Sequence, residues 1–232
     1  MSIKENINSV LNEIEECRNR NQAAQTVKLL AVSKTKPYED ILEAYQAGQR
    51  MFGESYAQEA CAKIDRFESE GLRDIIWYFI GPLQSNKTRS VAERFDWVLS
   101  CDREKIARRL NDQRPQGMNP LNTCIQINIS DEEQKSGIKE ENILSLASVI
   151  AGLPNLKLRG LMGIALNTDD TEILKEEFLN LKRIFDDIKK KYPSVDTLSM
   201  GMTADMEPAI ACGSNLVRIG TRIFGARNYK DK

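Results

Sequence analysis

Apolar positions along this chain follow two alternating periods. Ile3, Ile7, Val10, Leu11 and Ile14 share one helical face, and the polar run 19–25 ends that helix. Leu29, Leu30, Ala31 and Val32 then form a short unbroken apolar run, the mark of a strand buried on both faces, placed at 28–33. A helix over 38–47 stops at Gly48, a brief strand covers 51–53, and a helix follows over 55–67. The third strand, 75–80, is closed by Gly81 and Pro82. A helix over 85–94 leads to a strand at 97–100, and Asp102 is read as the cap of a helix carrying Ile106 and Leu110. Next come a strand at 123–127, a polar loop over 128–137 and a helix with Ile143, Leu146, Ala147 and Ile150. A strand at 157–161 precedes the strongest helical pattern in the chain, Leu174, Phe178, Leu181, Phe185 and Ile188. A short strand at 197–199, a helix over 203–211 and a final strand at 216–219 complete the series.

Strands alternating with helices imply a parallel sheet. Eight such units in 232 residues predict an α/β fold of the closed (β/α)8 TIM-barrel type, with one extra helix at the N-terminus. A doubly wound open sheet is the other arrangement this pattern allows. No Gly/Ser linker, composition shift or internal repeat divides the chain, so one domain over 1–232 is expected.

Composition narrows the chemistry. Hydrophobic residues make up 41% and charged residues 29%, enough apolar surface for a sizeable core. A net charge of -1 gives no general attraction to nucleic acid or to an anionic membrane. No apolar run reaches the length of a membrane span, and the N-terminus lacks the apolar core of a signal peptide. The five cysteines, Cys17, Cys61, Cys101, Cys124 and Cys212, are scattered and form no CxxC pair, which suits reduced, mostly buried thiols and a cytoplasmic setting. The chain contains no histidine, which excludes Ser-His-Asp and Cys-His mechanisms and argues against an ordinary zinc site.

In a barrel the chemistry sits at the C-terminal ends of the strands. The first strand runs into Lys34, where burial would favour a neutral amine able to attack an aldehyde. Lys36 is in phase with Lys34 and is a rival nucleophile, although Pro37 confines it to an extended conformation. The seventh strand ends at Ser199, Met200, Gly201, Met202 and Thr203, and the eighth at Arg218, Ile219, Gly220 and Thr221. Loops after these two strands are the usual phosphate site of the architecture. Gly201 and Gly220 allow close backbone approach, Ser199 and Thr221 offer hydroxyls, and a helix starting near Thr203 would turn its positive end to the same place. An amine facing a phosphate cradle suits pyridoxal 5'-phosphate, and Arg218 is placed to donate to its ring nitrogen. An arginine partner leaves that nitrogen unprotonated and the ring a weak electron sink. The loop of Asn128, Ile129 and Ser130 with Lys135, Ser136 and Gly137 reads as a solvated turn ahead of a cofactor contact. Lys189, Lys190 and Lys191 read as charges favourable to a helix C-terminus, and Met200 and Met202 can equally be core packing.

Five segments together carry a resemblance: 31–37 (AVSKTKP), 52–54 (FGE), 79–87 (FIGPLQSNK), 198–202 (LSMGM) and 217–221 (VRIGT). They closely resemble the pyridoxal phosphate homeostasis protein family, in collinear order from about residue 28 to Arg227. The resemblance implies a barrel like the N-terminal domain of alanine racemase and a Schiff base on the lysine matching Lys34. It implies phosphate contacts at Ser199, Gly220 and Thr221, with Met200 beside them, and a ring-nitrogen contact at Arg218. It further implies a carrier or regulator of the cofactor, acting in vitamin B6 and amino-acid balance without an established reaction, and apo-enzymes that use the cofactor as partners. Two positions depart from the family pattern: Ser55 stands where asparagine is usual, and Tyr78 where histidine is usual.

The competing reading is a racemase, which needs an acid/base on the other cofactor face. Such a tyrosine typically comes from a separate C-terminal β-domain, and this chain ends soon after Gly220, leaving Tyr78 or Lys36 as substitutes. An aldolase-type barrel using Lys34 is a third. The nearly neutral surface leans toward a monomer.

Overall fold

The computed structural model describes residues 1–130 and 136–226, so Lys135 and Arg227 lie outside the described residues. Eight parallel strands close into one barrel in sequence order: β1 (Lys28–Val32), β2 (Met51–Glu54), β3 (Ile76–Phe79), β4 (Trp97–Cys101), β5 (Leu121–Ile127), β6 (Leu156–Gly163), β7 (Thr197–Ser199) and β8 (Leu216–Ile219). Closure comes from β1 pairing with β8, with Leu30 opposite Arg218 and Ala31 opposite Ile219. The open-sheet alternative is thereby removed.

The strands alternate between two cores, as a pleat requires. Leu30, Tyr78, Trp97, Leu99, Cys124, Met162 and Leu216 fill the barrel interior. Their neighbours, including Leu29, Ala31, Phe52, Phe79, Val98, Ile125, Leu198, Val217 and Ile219, pack outward against the helices. Near the N-terminal strand ends the Tyr78 and Trp97 rings stack at 5.1 Å, and the Arg159 guanidinium lies over Trp97 at 4.5 Å. Arg159 is held there by Asp196, at 2.5 Å. These side chains fill the floor of the barrel.

The extra N-terminal helix is α1 (Ile3–Arg20), which opens with a Ser2–Glu5 capping box and buries Ile7, Val10, Ile14 and Cys17. The other helices are α2 (Tyr38–Gln46), α3 (Ala57–Ser69), α4 (Thr88–Arg94), α5 (Glu104–Gln113), α6 (Ile143–Ala151), α7 (Thr171–Lys191), α8 (Met206–Ala211) and α9 (Thr221–Phe224). α7 buries every residue of its predicted stripe, and Lys189, Lys190 and Lys191 occupy its last turn. Among the described residues no helix is long and apolar enough to cross a membrane.

Two local expectations are corrected. Asp102 does not cap α5: the cap position is Arg103, without a side-chain cap bond, and the Asp102 carboxylate instead pairs with the Arg103 guanidinium at 2.7 Å. The helix after β7 starts at Met206 rather than near Thr203, because Asp205 accepts the Met202 N–H at 2.6 Å and turns the intervening residues.

Candidate functional site

β1 delivers Lys34 to the barrel mouth through its period of two. Leu30 points inward, and Val32 and Lys34 follow in phase. Lys34 sits half-buried in the turn after the strand. The residues on either side of it are clamped from behind. The Lys63 ammonium, buried on α3, donates to the Ser33 carbonyl at 3.0 Å, to Glu54 Oε1 at 2.8 Å and to Glu59 Oε1 at 2.5 Å. Ser33 Oγ donates to the same Glu54 oxygen at 2.7 Å, and the Thr35 N–H donates to Glu59 at 2.7 Å. Thr35 adopts a left-handed φ of 63°, uncommon for a threonine, and that short bond helps hold it. Glu54 is fully buried, and burial pushes its carboxyl above the ordinary range even though Lys63 pulls the other way. Its second oxygen has no hydrogen-bond partner among the described residues.

Beside β1 in the closed barrel, β7 and β8 bring two more predicted residues together. The Arg218 guanidinium, 5% exposed, donates to Ser199 Oγ at 2.7 Å and to the Gly163 carbonyl at 2.9 Å. Burial pushes it down to about 10, opposed by the attraction of Asp205, so it stays charged at neutral pH. Ser199 has a single hydroxyl proton, which faces the Leu216 carbonyl at 3.1 Å. To serve an anion, that hydroxyl must turn away from Leu216. Gly201 has φ 92°, and a Cβ there would come within 2.6 Å of the Ala209 Cβ, so the loop after β7 requires glycine. Gly220 packs on Val32, where an added Cβ would meet the Val32 carbonyl at 3.1 Å. This contact joins the β8 loop to the strand carrying Lys34. Thr221 is exposed at the start of α9.

Not every candidate side chain faces the mouth. Met200 is fully buried in the outer core, so only its backbone borders the loop, with its carbonyl accepting from Ser214 Oγ at 2.6 Å. Lys36 turns aside and donates to the carbonyls of Phe224, Gly225 and Ala226 at 2.7, 3.0 and 2.8 Å. Tyr78 lies in the interior with its hydroxyl toward Met51 Sδ at 3.6 Å, and burial pushes its phenol well above the ordinary value. Met51 opens β2, so that hydroxyl points to the floor and away from Lys34.

Lys34 also borders a cavity of about 270 Å3 that includes Ser55, Tyr56, Gly81, Gln126, Asn128 and Ser136. None of these stood among the predicted site residues. Gln126 and Asn128 continue the inward phase of Cys124 on β5, and Gln126 Nε2 donates to the Ser136 carbonyl at 3.0 Å. Asn128 and Ser136, from the loop read as a solvated turn, thus border the mouth. Two polar amides in phase with an inward cysteine are the signal that marks it. Ser55, one of the two departures from the family pattern, is part of this lining.

A half-buried lysine at one strand end, with a buried arginine and glycine loops on the neighbouring strands, defines an alanine-racemase-like barrel. Comparison with known proteins agrees: a family model described as "Alanine racemase, N-terminal domain" matches residues 7–228. The "Pyridoxal phosphate homeostasis protein" of Haemophilus influenzae is 57% identical, with 99% of this chain and 98% of that protein covered. The Escherichia coli K12 protein of the same name is 50% identical, over 97% and 100%. The chain belongs to the pyridoxal phosphate homeostasis protein family. Among solved structures, PipY of Synechococcus elongatus with PLP bound superposes with a TM-score of 0.82 at 32% identity, covering 97% of this chain and 100% of that one. Alanine racemase from Corynebacterium glutamicum shares the fold, at a TM-score of 0.66 and 15% identity, covering 94% of this chain and 62% of that one.

Proposed function

We propose that this chain binds pyridoxal 5'-phosphate, with Lys34 as its Schiff-base anchor, and serves intracellular homeostasis of the cofactor and amino-acid balance as a single barrel domain. The observation that carries the reading is the Arg218–Ser199 pair at 2.7 Å on the two strands whose loops suit a phosphate, beside the strand that ends in Lys34. The donor set fits the ligand. Lys34 supplies an amine for the aldehyde, and Gly201 and Gly220 add no side chain to the two loops that would meet an anion. Ser199 and Thr221 have hydroxyls to offer it, and the charged Arg218 would donate to the ring nitrogen. When bound, the cofactor supplies a conjugated ring that can withdraw electrons from a linked amine. Arg218 limits this, because a guanidinium donates to a ring nitrogen without protonating it.

The relatives' names and the PLP-bound neighbour support binding and homeostasis. Two placements weigh against the racemase reading: the Tyr78 hydroxyl faces the floor, and the Lys36 ammonium is engaged with three carbonyls. The cofactor would pass to apo-enzymes that need it.

The test is to add the cofactor, reduce with borohydride and locate the adduct by peptide mass spectrometry. The expected label is on Lys34. A label on Lys36, or none, refutes the anchor. Exchange of the alanine α-proton faster than with free cofactor would refute the carrier reading.

A further inference from the structure

The β1–β8 ladder pairs Ala31 with Ile219 and goes no further. Beyond that rung both chains leave the sheet, one into the turn holding Lys34 and the other into Gly220, Thr221 and α9. The two are tied again by Lys36. Its ammonium donates to three consecutive carbonyls, Phe224, Gly225 and Ala226, at 2.7, 3.0 and 2.8 Å. Phe224 closes α9 and Gly225 and Ala226 follow it, so the ammonium caps the end of the helix as a donor to open carbonyls.

The far end of the same helix is Thr221. Four residues at 1.5 Å each make α9 only about 6 Å long, so its two ends move together. The other side of α9 is fixed to α1. Asn6 donates to the Ile223 carbonyl at 2.9 Å, and Arg222 pairs with Glu13. Lys36 is two residues from Lys34 in a turn that is itself closed by the Lys36 N–H donating to the Ser33 carbonyl at 3.1 Å. One side chain therefore links the turn that presents the amine to the helix that presents the hydroxyl and glycine of the phosphate loop.

We infer that Lys36 is a positioning residue for the cofactor site, setting the separation between the Lys34 amine and the Gly220–Thr221 loop. This rests on the cofactor reading above and assigns a task to the lysine that is not the anchor. An aldehyde and a phosphate on one rigid ring must meet the amine and the loop at once. Holding that separation in advance removes an ordering cost from binding. A ligand with the aldehyde but without the phosphate meets only the amine and gains nothing from the link.

The comparison ligand is therefore pyridoxal. Dissociation constants for pyridoxal 5'-phosphate and pyridoxal are measured by absorbance on the full-length protein, for wild type, Lys36→Met, Lys36→Gln and Lys36→Arg. In Lys36→Met the phosphorylated ligand is expected to weaken about tenfold while pyridoxal stays within about twofold. Lys36→Arg, which keeps the cation and its donors, is expected to restore most of the preference for the phosphate. Lys36→Gln provides the same comparison if the methionine variant does not fold. A preserved preference in the variants, or equal weakening of both ligands, overturns the inference. Borohydride trapping on wild type is run alongside. If wild type forms no adduct on Lys34, the cofactor reading has failed; if it does and the preference is unmoved, only the role of Lys36 has.

Discussion

Replacing Lys63 by methionine tests the buried cluster behind the Lys34 turn. The ammonium is 8% exposed and gives all three of its protons, to Ser33, Glu54 and Glu59. Methionine keeps most of the volume and none of the donors. Glu54, fully buried with one oxygen already unpartnered, would be left with the Ser33 hydroxyl alone. Breaking one side of a buried ion pair costs about 3–5 kcal/mol. That cost depends on pH with a definite sign. The Glu54 carboxyl is raised in the folded protein, so the native state binds the extra proton. Its contribution is most favourable in acid and is lost as pH rises from the ordinary carboxylate range through the folded value. Without Lys63 only the Ser33 hydroxyl opposes the desolvation, and the window extends upward. Urea unfolding of both proteins should give a larger stability gap at pH 8 than at pH 5.5. Lys63→Met combined with Glu54→Gln should recover much of the loss, because the stranded charge is gone. A gap below about 1 kcal/mol, or one that does not change with pH, would refute the assignment of Glu54 and Lys63 as a coupled buried pair.

Two further outcomes follow from the neighbouring strands β7 and β8. Arg218→Gln should leave the borohydride-trapped adduct on Lys34 but shift the visible absorption of the bound cofactor, since a charged donor to the ring is lost; an unchanged spectrum would mean that Arg218 does not face the ring. Gly201→Ala forces a left-handed residue to carry a Cβ placed 2.6 Å from Ala209; thermal unfolding should register a loss of about 1–3 kcal/mol, and a neutral effect would show that the loop after β7 relaxes freely.

Much of the barrel is legible in the sequence because its determinants are local. The α7 stripe of Leu174, Phe178, Leu181, Phe185 and Ile188 needs only helical spacing, and the whole set is buried. Arg218 and Ser199 could be placed at strand ends by counting, and they meet. What depends on register or on distant partners is not legible in this way. Met200 sits one residue beyond Ser199, and the pleat turns its side chain outward into the helix layer. Lys63, in Ala62-Lys63-Ile64, reads as one more helical surface lysine; only the packing of α3 on β2 buries it against Glu54. Asp102 and Thr203 miss their helices because Arg103 and Asp205 satisfy the local backbone and side-chain groups first. Gln126 and Asn128 carry a usable signal, an inward phase shared with Cys124, obscured by the polarity of the loop they lead into.

The stacked Tyr78–Trp97 pair, capped by Arg159, fills the end of the barrel opposite the mouth. The rim formed by the strand ends and their loops is then the doorway for whatever occupies the mouth. On the proposed reading, a protein receiving the cofactor would have to approach the same rim by which the cofactor was loaded. Loading and handover then exclude each other in time, so the chain would alternate between the two and never conduct them together.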